Sequence, residues 1–209
     1  MDMIRYGGIC LLLVMLSTGC QKATNYKLVD RTENYTSING RCTVEYNYPV
    51  LVQSSGDSVT LALTGIKEIS DFERFIQRFS EGDSNLTVHV QYKILQQTDS
   101  LLCLEYTTQM KGHQRKIFHS LTLSPLTLKQ YELSDFFKGD YMSVISSHVT
   151  AFCEKNKIFL NMRPYEDDRS GYHVNFTVTE DHLILYAGAE GDFHGYYKIN
   201  IPLIAFELK

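Results

Sequence analysis

The residues that could do chemistry in this chain are concentrated in two acidic segments near its end. In the segment 188–195, Glu190 and Asp192 precede Phe193 and His194. Paired carboxyl groups can hydrolyse glycosidic bonds when one of them is protonated, which requires an apolar pocket that raises its pKa. The same residue types can instead bind a cationic partner, because aromatic side chains with a charged rim are typical of protein interfaces.

The other acidic segment contains Tyr165, Asp167 and Asp168. Arg163 and Arg169 flank these residues, so the segment is polar throughout and lacks the apolar pocket that a catalytic acid needs. The sequence has no Gly-x-Ser-x-Gly motif, and none of its cysteines stands in a polar, basic niche that would activate a thiolate. We therefore predict that the chain is not an enzyme.

Recognition is the use of these residues that the sequence favours. The aromatic residues have a structural alternative, since alternate tyrosines of a β-meander also pack into a core. The predicted ligand-binding residues are Tyr165, Asp167, Asp168, Glu190, Asp192, Phe193 and Tyr196.

Histidines and cysteines would be the ligands of a metal site. His173, His182 and His194 do not form an i, i+4 pair on a helix, and we expect them on the surface and in turns. Cys42 and Cys103 have no C-x-x-C partners, and neither has Cys153. We predict no metal and no cofactor. The apolar neighbours of the three cysteines favour buried thiols, and a Cys42–Cys103 disulfide is the alternative.

The charge of the chain limits its partners. The formal net charge is −4, which argues against a nucleic-acid binder because such proteins need a basic face. Between residues 132 and 192 there are eleven acidic residues and five basic ones. This excess indicates either a solvated acidic surface or a surface that attracts a basic protein.

The N-terminus is typical of an export signal. Arg5 precedes a short apolar run at 9–16, and small residues then lead to Cys20. The sequence Leu-Ser-Thr-Gly-Cys that ends at Cys20 resembles the bacterial lipobox, which implies acylation of Cys20, for instance by palmitate. We expect a signal peptide at 1–19 and a flexible tether at 20–40. An ordinary signal peptide with a chance cysteine and an uncleaved anchor are the alternatives.

Hydrophobic periodicity predicts two helices and several strands. Apolar residues three and four apart, from Ile69 to Phe79, predict the first helix, and Ile145, Val149 and Phe152 mark the second, at about 141–155. Alternating residues predict strands at 42–48, 86–92, 101–110, 116–123, 172–179, 183–187 and 196–206.

The order of these elements predicts an α+β fold. Hairpin-length links favour antiparallel meanders, with the two helices packed on one face of the sheets. A helix followed by a meander occurs twice, as a loose duplication without convincing residue identity, and we expect a two-lobe arrangement with an N-terminal lobe at 41–123 and a C-terminal lobe at 124–209.

The C-terminal motifs resemble the exported domain of RsiV-like proteins, the lysozyme-sensing anti-sigma factors. The matching segments are 175–179, 181–186 and 196–202, together with Tyr131–Phe137 at the start of the long helix and Tyr46–Pro49 in the preceding lobe of uncertain function. The resemblance implies an extracytoplasmic binding or sensing module that recognises a lysozyme-like protein or a cell-wall ligand. Residues 1–8 are too few for the cytoplasmic helix of an anti-sigma factor, and we expect no separate deacetylase domain.

The sequence therefore predicts a lipoprotein of the bacterial cell envelope, held in the cell membrane or the outer membrane through the lipid on Cys20. The alternative is a peptidoglycan-modifying hydrolase that uses Asp192 and His194. A purely structural envelope protein is a third interpretation.

Overall fold

Six strands form the larger of two sheets in the computed structural model, which describes residues 25–36, 42–61, 86–112, 114, 116–160, 174–188 and 197–209. The strand order is β1-β2-β4-β5-β6, and β3 also pairs with β2. The strands are β1 (Tyr26–Thr36), β2 (Cys42–Gln53), β3 (Ser58–Thr60), β4 (Leu86–Gln97), β5 (Leu102–Met110) and β6 (Lys116–Leu123).

Three further strands, two α-helices and a short 3-10 helix (Leu203–Ala205) complete the regular structure of the described residues. The antiparallel sheet β7-β8-β9 consists of β7 (Phe176–Val178), β8 (His182–Ala187) and β9 (Tyr197–Pro202). The helices are α1 (Leu133–Phe136) and α2 (Tyr141–Asn156). The fold is therefore α+β, as the sequence predicts.

The strand β1 corrects the expected tether at 20–40. It pairs with β2 along its whole length, from Tyr26 opposite Gln53 to Thr36 opposite Thr43. Its residues are polar because β1 is an edge strand whose side chains are mostly exposed. Periodicity missed it because Tyr26 is its one buried side chain among those described.

The larger sheet is mixed rather than a pure antiparallel meander. The predicted antiparallel pairing is confirmed for β4, β5 and β6, but β2 and β4 are parallel, with Cys42 opposite Leu86. Parallel neighbours require a crossover connection. The predicted first helix would belong to this connection, at residues 62–85, which lie outside the described residues.

One face of the larger sheet carries a hydrophobic cluster to which β2, β4, β5 and β6 contribute alternate side chains. Val44, Val90 and Leu104 are buried members of this cluster. The Tyr106 hydroxyl donates a hydrogen bond to the Leu61 carbonyl, and burial raises the pKa of Tyr106. The first cluster therefore lies on the side of β5 that carries the even-numbered residues from 102 to 106.

The small sheet lies between α2 and the larger sheet. Its apolar face, including Leu183, Leu185 and Ile199, packs with Ile145 and Val149 of α2 in a second hydrophobic cluster. Its other face meets β5 and β6. The sheet thus separates an apolar interface with the helix from a partly polar interface with the larger sheet.

The second predicted helix is confirmed as α2. The Asp140 carboxylate accepts a hydrogen bond from the Ser143 amide at 3.1 Å, which caps the first turn. Lys157 ends the helix with φ 53°, in the left-handed region common at helix C-termini. Among the described helices, none combines the length and apolar character needed to cross a membrane.

The short helix α1 lies in the connection between β6 and α2. The Asp135 carboxylate accepts a hydrogen bond from the Glu132 amide at 2.8 Å, and this bond lowers the pKa of Asp135. Phe137, directly after α1, is almost fully buried and stacks on Phe206 with ring centroids 4.4 Å apart. These contacts anchor the connection from β6 to α2.

Candidate functional site

A buried carboxylate lies at the interface between the two sheets. Glu105, on β5, has only 6% of its surface exposed. Its Oε1 atom lies 2.7 Å from the Lys198 ammonium of β9, and its Oε2 atom accepts a hydrogen bond from the Tyr186 hydroxyl of β8 at 2.7 Å. One side chain of the larger sheet is thus bound by two strands of the small sheet.

Tyr186 extends this group of residues to β7. Its oxygen lies 3.1 Å from the Thr177 hydroxyl, and because the Tyr186 proton is donated to Glu105, Thr177 acts as the donor here. Burial is the largest cause that raises the pKa of Tyr186, and the neighbouring Glu105 charge raises it further, whereas the hydrogen bond with Thr177 lowers it. The phenol therefore remains a neutral donor at physiological pH.

Lys198 connects the buried carboxylate with solvent. Its side chain is 36% exposed, and its ammonium lies 4.2 Å from the centroid of the Phe118 ring on β6. Such a cation–π contact contributes about 0.5–1 kcal/mol at a partly exposed site. Lys198 thus contacts both β5 and β6, and we call Glu105, Thr177, Tyr186 and Lys198 the Glu105 cluster.

Hydrogen bonds along β6 and β7 position this cluster. The Asn175 side chain accepts from the Ser120 amide at 2.9 Å and donates to the Phe118 carbonyl at 3.2 Å. The Thr122 hydroxyl donates to the Phe176 carbonyl at 2.8 Å. β7 therefore runs alongside β6 in a fixed register, with Asn175 near Ser120 and Phe176 near Thr122.

The Glu105 cluster is suited to joining the two sheets rather than to catalysis. A catalytic carboxyl group must exchange a proton with a substrate, or attack it. Both oxygens of Glu105 are instead occupied by protein donors inside the interface. The cluster is a hydrogen-bonded, buried ion pair, which fixes the relative position of the elements that carry it.

Cys103 precedes this cluster on β5 and is a buried free thiol. Burial raises the pKa of Cys103, although hydrogen bonds with Val178 and Thr122 oppose this shift. The predicted buried thiol is therefore confirmed for Cys103, and the alternative Cys42–Cys103 disulfide is wrong. Cys153 is also free but only partly buried.

The histidine that the structure describes in the final meander is His182. Its Nδ1 atom lies 2.8 Å from the Asp181 carboxylate in the turn before β8, and this contact lowers the pKa of Asp181. His173 and His194 lie outside the described residues. Within the described ranges, no three histidine, cysteine or acidic side chains converge into a metal site.

The sequence-predicted binding residues lie in two ranges outside the described residues. We call these ranges the first acidic segment (161–173) and the second acidic segment (189–196). The predicted lipidation site, Cys20, also lies outside. The predicted binding residues are Tyr165, Asp167 and Asp168 in the first segment, and Glu190, Asp192, Phe193 and Tyr196 in the second. The structure therefore does not test whether these side chains lie together.

The described residues after the first acidic segment and on both sides of the second lie together at one end of the small sheet. The Asn175 carbonyl accepts a hydrogen bond from the Tyr186 amide at 2.8 Å, and Ala187 lies opposite Tyr197. Val174 follows the first acidic segment, and the second segment connects β8 with β9. We call this the Val174 end, because both segments are attached to the sheet there.

Comparison with known proteins gives structural neighbours only. No protein-family model matches this chain, and no curated protein matches it. A DUF3298-family protein from Bacteroides fragilis is similar over 90% of this chain and 94% of its own, with 13% identity and a TM-score of 0.46. A DUF3298-family protein from Pseudomonas aeruginosa is similar over 90% and 95%, with 12% identity and a TM-score of 0.43.

The Glu105 cluster was not predicted from the sequence, although one signal for it is present. The segment Leu-Leu-Cys-Leu-Glu-Tyr at 101–106 places a charge inside an apolar strand. A strand buried on both faces can hold a carboxylate only when donors satisfy it. Lys198 and Tyr186 could not be identified as those donors without the pairing of the two sheets.

We predict that Glu105→Ala lowers the free energy of unfolding by about 3 kcal/mol, because it leaves the Lys198 and Tyr186 donors without their acceptor. Urea unfolding followed by circular dichroism measures this loss. Glu45→Ala is the control, since Glu45 pairs with His89 on the exposed surface, and its cost should stay below about 1 kcal/mol. Equal costs for the two variants would contradict the role of Glu105.

Proposed function

We propose that this chain is an exported, lipid-anchored binding protein of the bacterial cell envelope. Its ligand is a basic protein such as a lysozyme, or a cell-wall component, as the resemblance to RsiV-like proteins implies. The observation that carries the proposal is the attachment of both acidic segments to the Val174 end of the small sheet. Two acidic, aromatic segments that begin from one edge can contribute to a single binding surface.

The charge distribution supports a basic ligand. The eleven acidic residues between 132 and 192 include those of both acidic segments. An excess of one sign on one part of a surface accelerates the association of a partner of opposite sign. Phe193 and Tyr196, next to the acidic residues, provide the aromatic contacts that contribute most to affinity in protein interfaces.

The two-lobe arrangement is part of the proposal. The N-terminal lobe, 41–123, contains five strands of the larger sheet, to which β1 is added from the preceding residues. The C-terminal lobe, 124–209, contains α1, α2 and the small sheet. The Glu105 cluster then joins the two lobes, so the Val174 end has a fixed position relative to the larger sheet, whose first strand follows the proposed lipid anchor in the chain.

We predict that Cys20 carries the lipid. Cells that are fed a clickable palmitate analogue should label the wild-type chain, whereas Cys20→Ala should remove the label because its side chain cannot be acylated. In-gel fluorescence of the immunoprecipitated chain measures the label. Cys153→Ala is the control and should keep it. An unlabelled wild-type chain would contradict lipidation.

We predict that reversing charge in the first acidic segment weakens recognition of a lysozyme. Asp167→Lys combined with Asp168→Lys should slow association on the order of tenfold at low salt and flatten its salt dependence. Phe193→Ala should speed dissociation and cost at least about 1 kcal/mol of binding energy. Surface plasmon resonance with immobilised c-type lysozyme, at several salt concentrations, measures both effects.

The matched control for these variants is Glu45→Lys combined with Asp57→Lys, which changes the net charge equally at exposed positions of the larger sheet. It should slow association much less than the reversal at 167 and 168 and should leave the salt dependence close to that of the wild-type chain. An equal effect of the two charge reversals would rule out the first acidic segment as the binding site. Failure of the wild-type chain to bind either lysozyme or purified peptidoglycan would contradict the proposed function.

A further inference from the structure

Several loops meet where β1 begins and where β2, β4 and β6 end, and we call this the Asn25 end. The Asn25 amide donates to the Asp99 carboxylate at 3.1 Å, and the Asn25 carbonyl accepts from the Ser54 hydroxyl at 2.6 Å. Next to Ser54, the Gln53 side chain donates to the carbonyls of Pro125 and Leu126, at 3.1 and 3.3 Å. The loop after β6 is therefore attached close to the first described residue.

The Asn25 end lies close to the proposed lipid. This step depends on the proposed acylation of Cys20. A fully extended chain advances at most about 3.6 Å per residue, so the five steps from Cys20 to Asn25 reach about 18 Å. β5 alone, with nine residues, is about 30 Å long. The Asn25 end is therefore held within about 18 Å of the proposed lipid, whereas the opposite end of the larger sheet has no such attachment among the described residues.

Two exposed leucines lie in the loop that Gln53 attaches to this end. Leu126 is 53% exposed and Leu128 is 37% exposed. Leu128 also has φ 60°, in the left-handed region that a leucine rarely adopts. A glycine or asparagine would fit this backbone with less strain, and strained residues are concentrated at functional sites. Leu128 is thus a large apolar side chain at a position whose backbone conformation disfavours leucine.

A third exposed apolar side chain, Ile204, lies at the same end. β7 follows β6 toward this end, since its last residue, Val178, contacts Cys103 at the start of β5. The Leu203 amide donates to the Asp181 carbonyl in the turn after β7. Ile204 comes next in the chain and is 95% exposed.

The Val174 end points away from these three side chains. β8 runs from His182, in the turn near Ile204, to Ala187 at the Val174 end, a distance of about 17–20 Å for six residues. The Phe152 ring of α2 lies 6.3 Å from the Tyr197 ring. The C-terminus of α2, followed by Phe159, therefore also lies toward the Val174 end.

We propose that the Asn25 end rests on the lipid bilayer that holds the acylated Cys20, with Leu126, Leu128 and Ile204 in contact with lipid. Buried apolar surface adds to the membrane attachment that a lipid anchor provides, so exposed apolar side chains next to the anchor favour contact with the bilayer. In this orientation the Val174 end, where both acidic segments are attached, points outward from the membrane. The bilayer thus fixes the direction in which the binding surface is presented.

Tryptophan fluorescence tests this orientation in the acylated mature chain, because the sequence contains no tryptophan. Leu126→Trp and Ile204→Trp place the sole tryptophan on the proposed contact surface. Phe159→Trp is the matched control, since Phe159 is 88% exposed and apolar but lies toward the other end. Each variant is reconstituted in phosphatidylethanolamine–phosphatidylglycerol vesicles, with or without phospholipids brominated on their acyl chains.

The Leu126→Trp and Ile204→Trp variants should emit at shorter wavelength in vesicles and lose much of their emission to brominated lipid, whereas Phe159→Trp should not. Equal quenching of the three tryptophan variants in acylated protein would overturn the orientation but would not contradict the lipid anchor. A blue shift without quenching would show that protein covers the surface, which also overturns it. An N-terminal peptide whose mass lacks the acyl chains would overturn both the anchor and the orientation.

Discussion

The buried carboxylate of Glu105 is the constraint on which the arrangement of this molecule depends. A charge this far from solvent is tolerated only when donors satisfy it, and both donors come from the small sheet. The small sheet must therefore sit against β5 and β6 in one position. Apolar burial on the other side of the small sheet, against α2, adds stability but fixes the geometry less, because it is not directional.

This fixed position gives the molecule two different ends. The Asn25 end has exposed leucines, an exposed isoleucine and the first described residue, which follows Cys20 by five positions. The Val174 end carries the attachments of the two acidic segments. If the small sheet could turn on the larger one, the position of the Val174 end would not be coupled to the Asn25 end. In the proposed function, the Glu105 cluster therefore connects anchoring with recognition.

The sequence predicted the elements whose burial follows a simple period. Alternation predicted β4, β5 and β6, and the apolar stripe of Ile145 and Val149 predicted α2. It did not predict β1, because an edge strand can be polar. It also did not predict the parallel pairing of β2 with β4, because pairing between distant strands leaves no local pattern in the sequence. The Glu105 cluster was missed for the same reason, since its members are as much as 93 residues apart. The predicted binding residues and Cys20 lie outside the described residues and stay predictions.

Native-state hydrogen exchange tests the central claim most directly, because it measures the opening free energy of each sheet separately. If the Glu105 cluster joins the sheets into one cooperative unit, the buried amides of β5, β6 and β8 should exchange with the same free energy of opening and the same dependence on denaturant. A β8 that exchanges through a separate opening of much lower free energy, while β5 and β6 stay protected, would contradict the account.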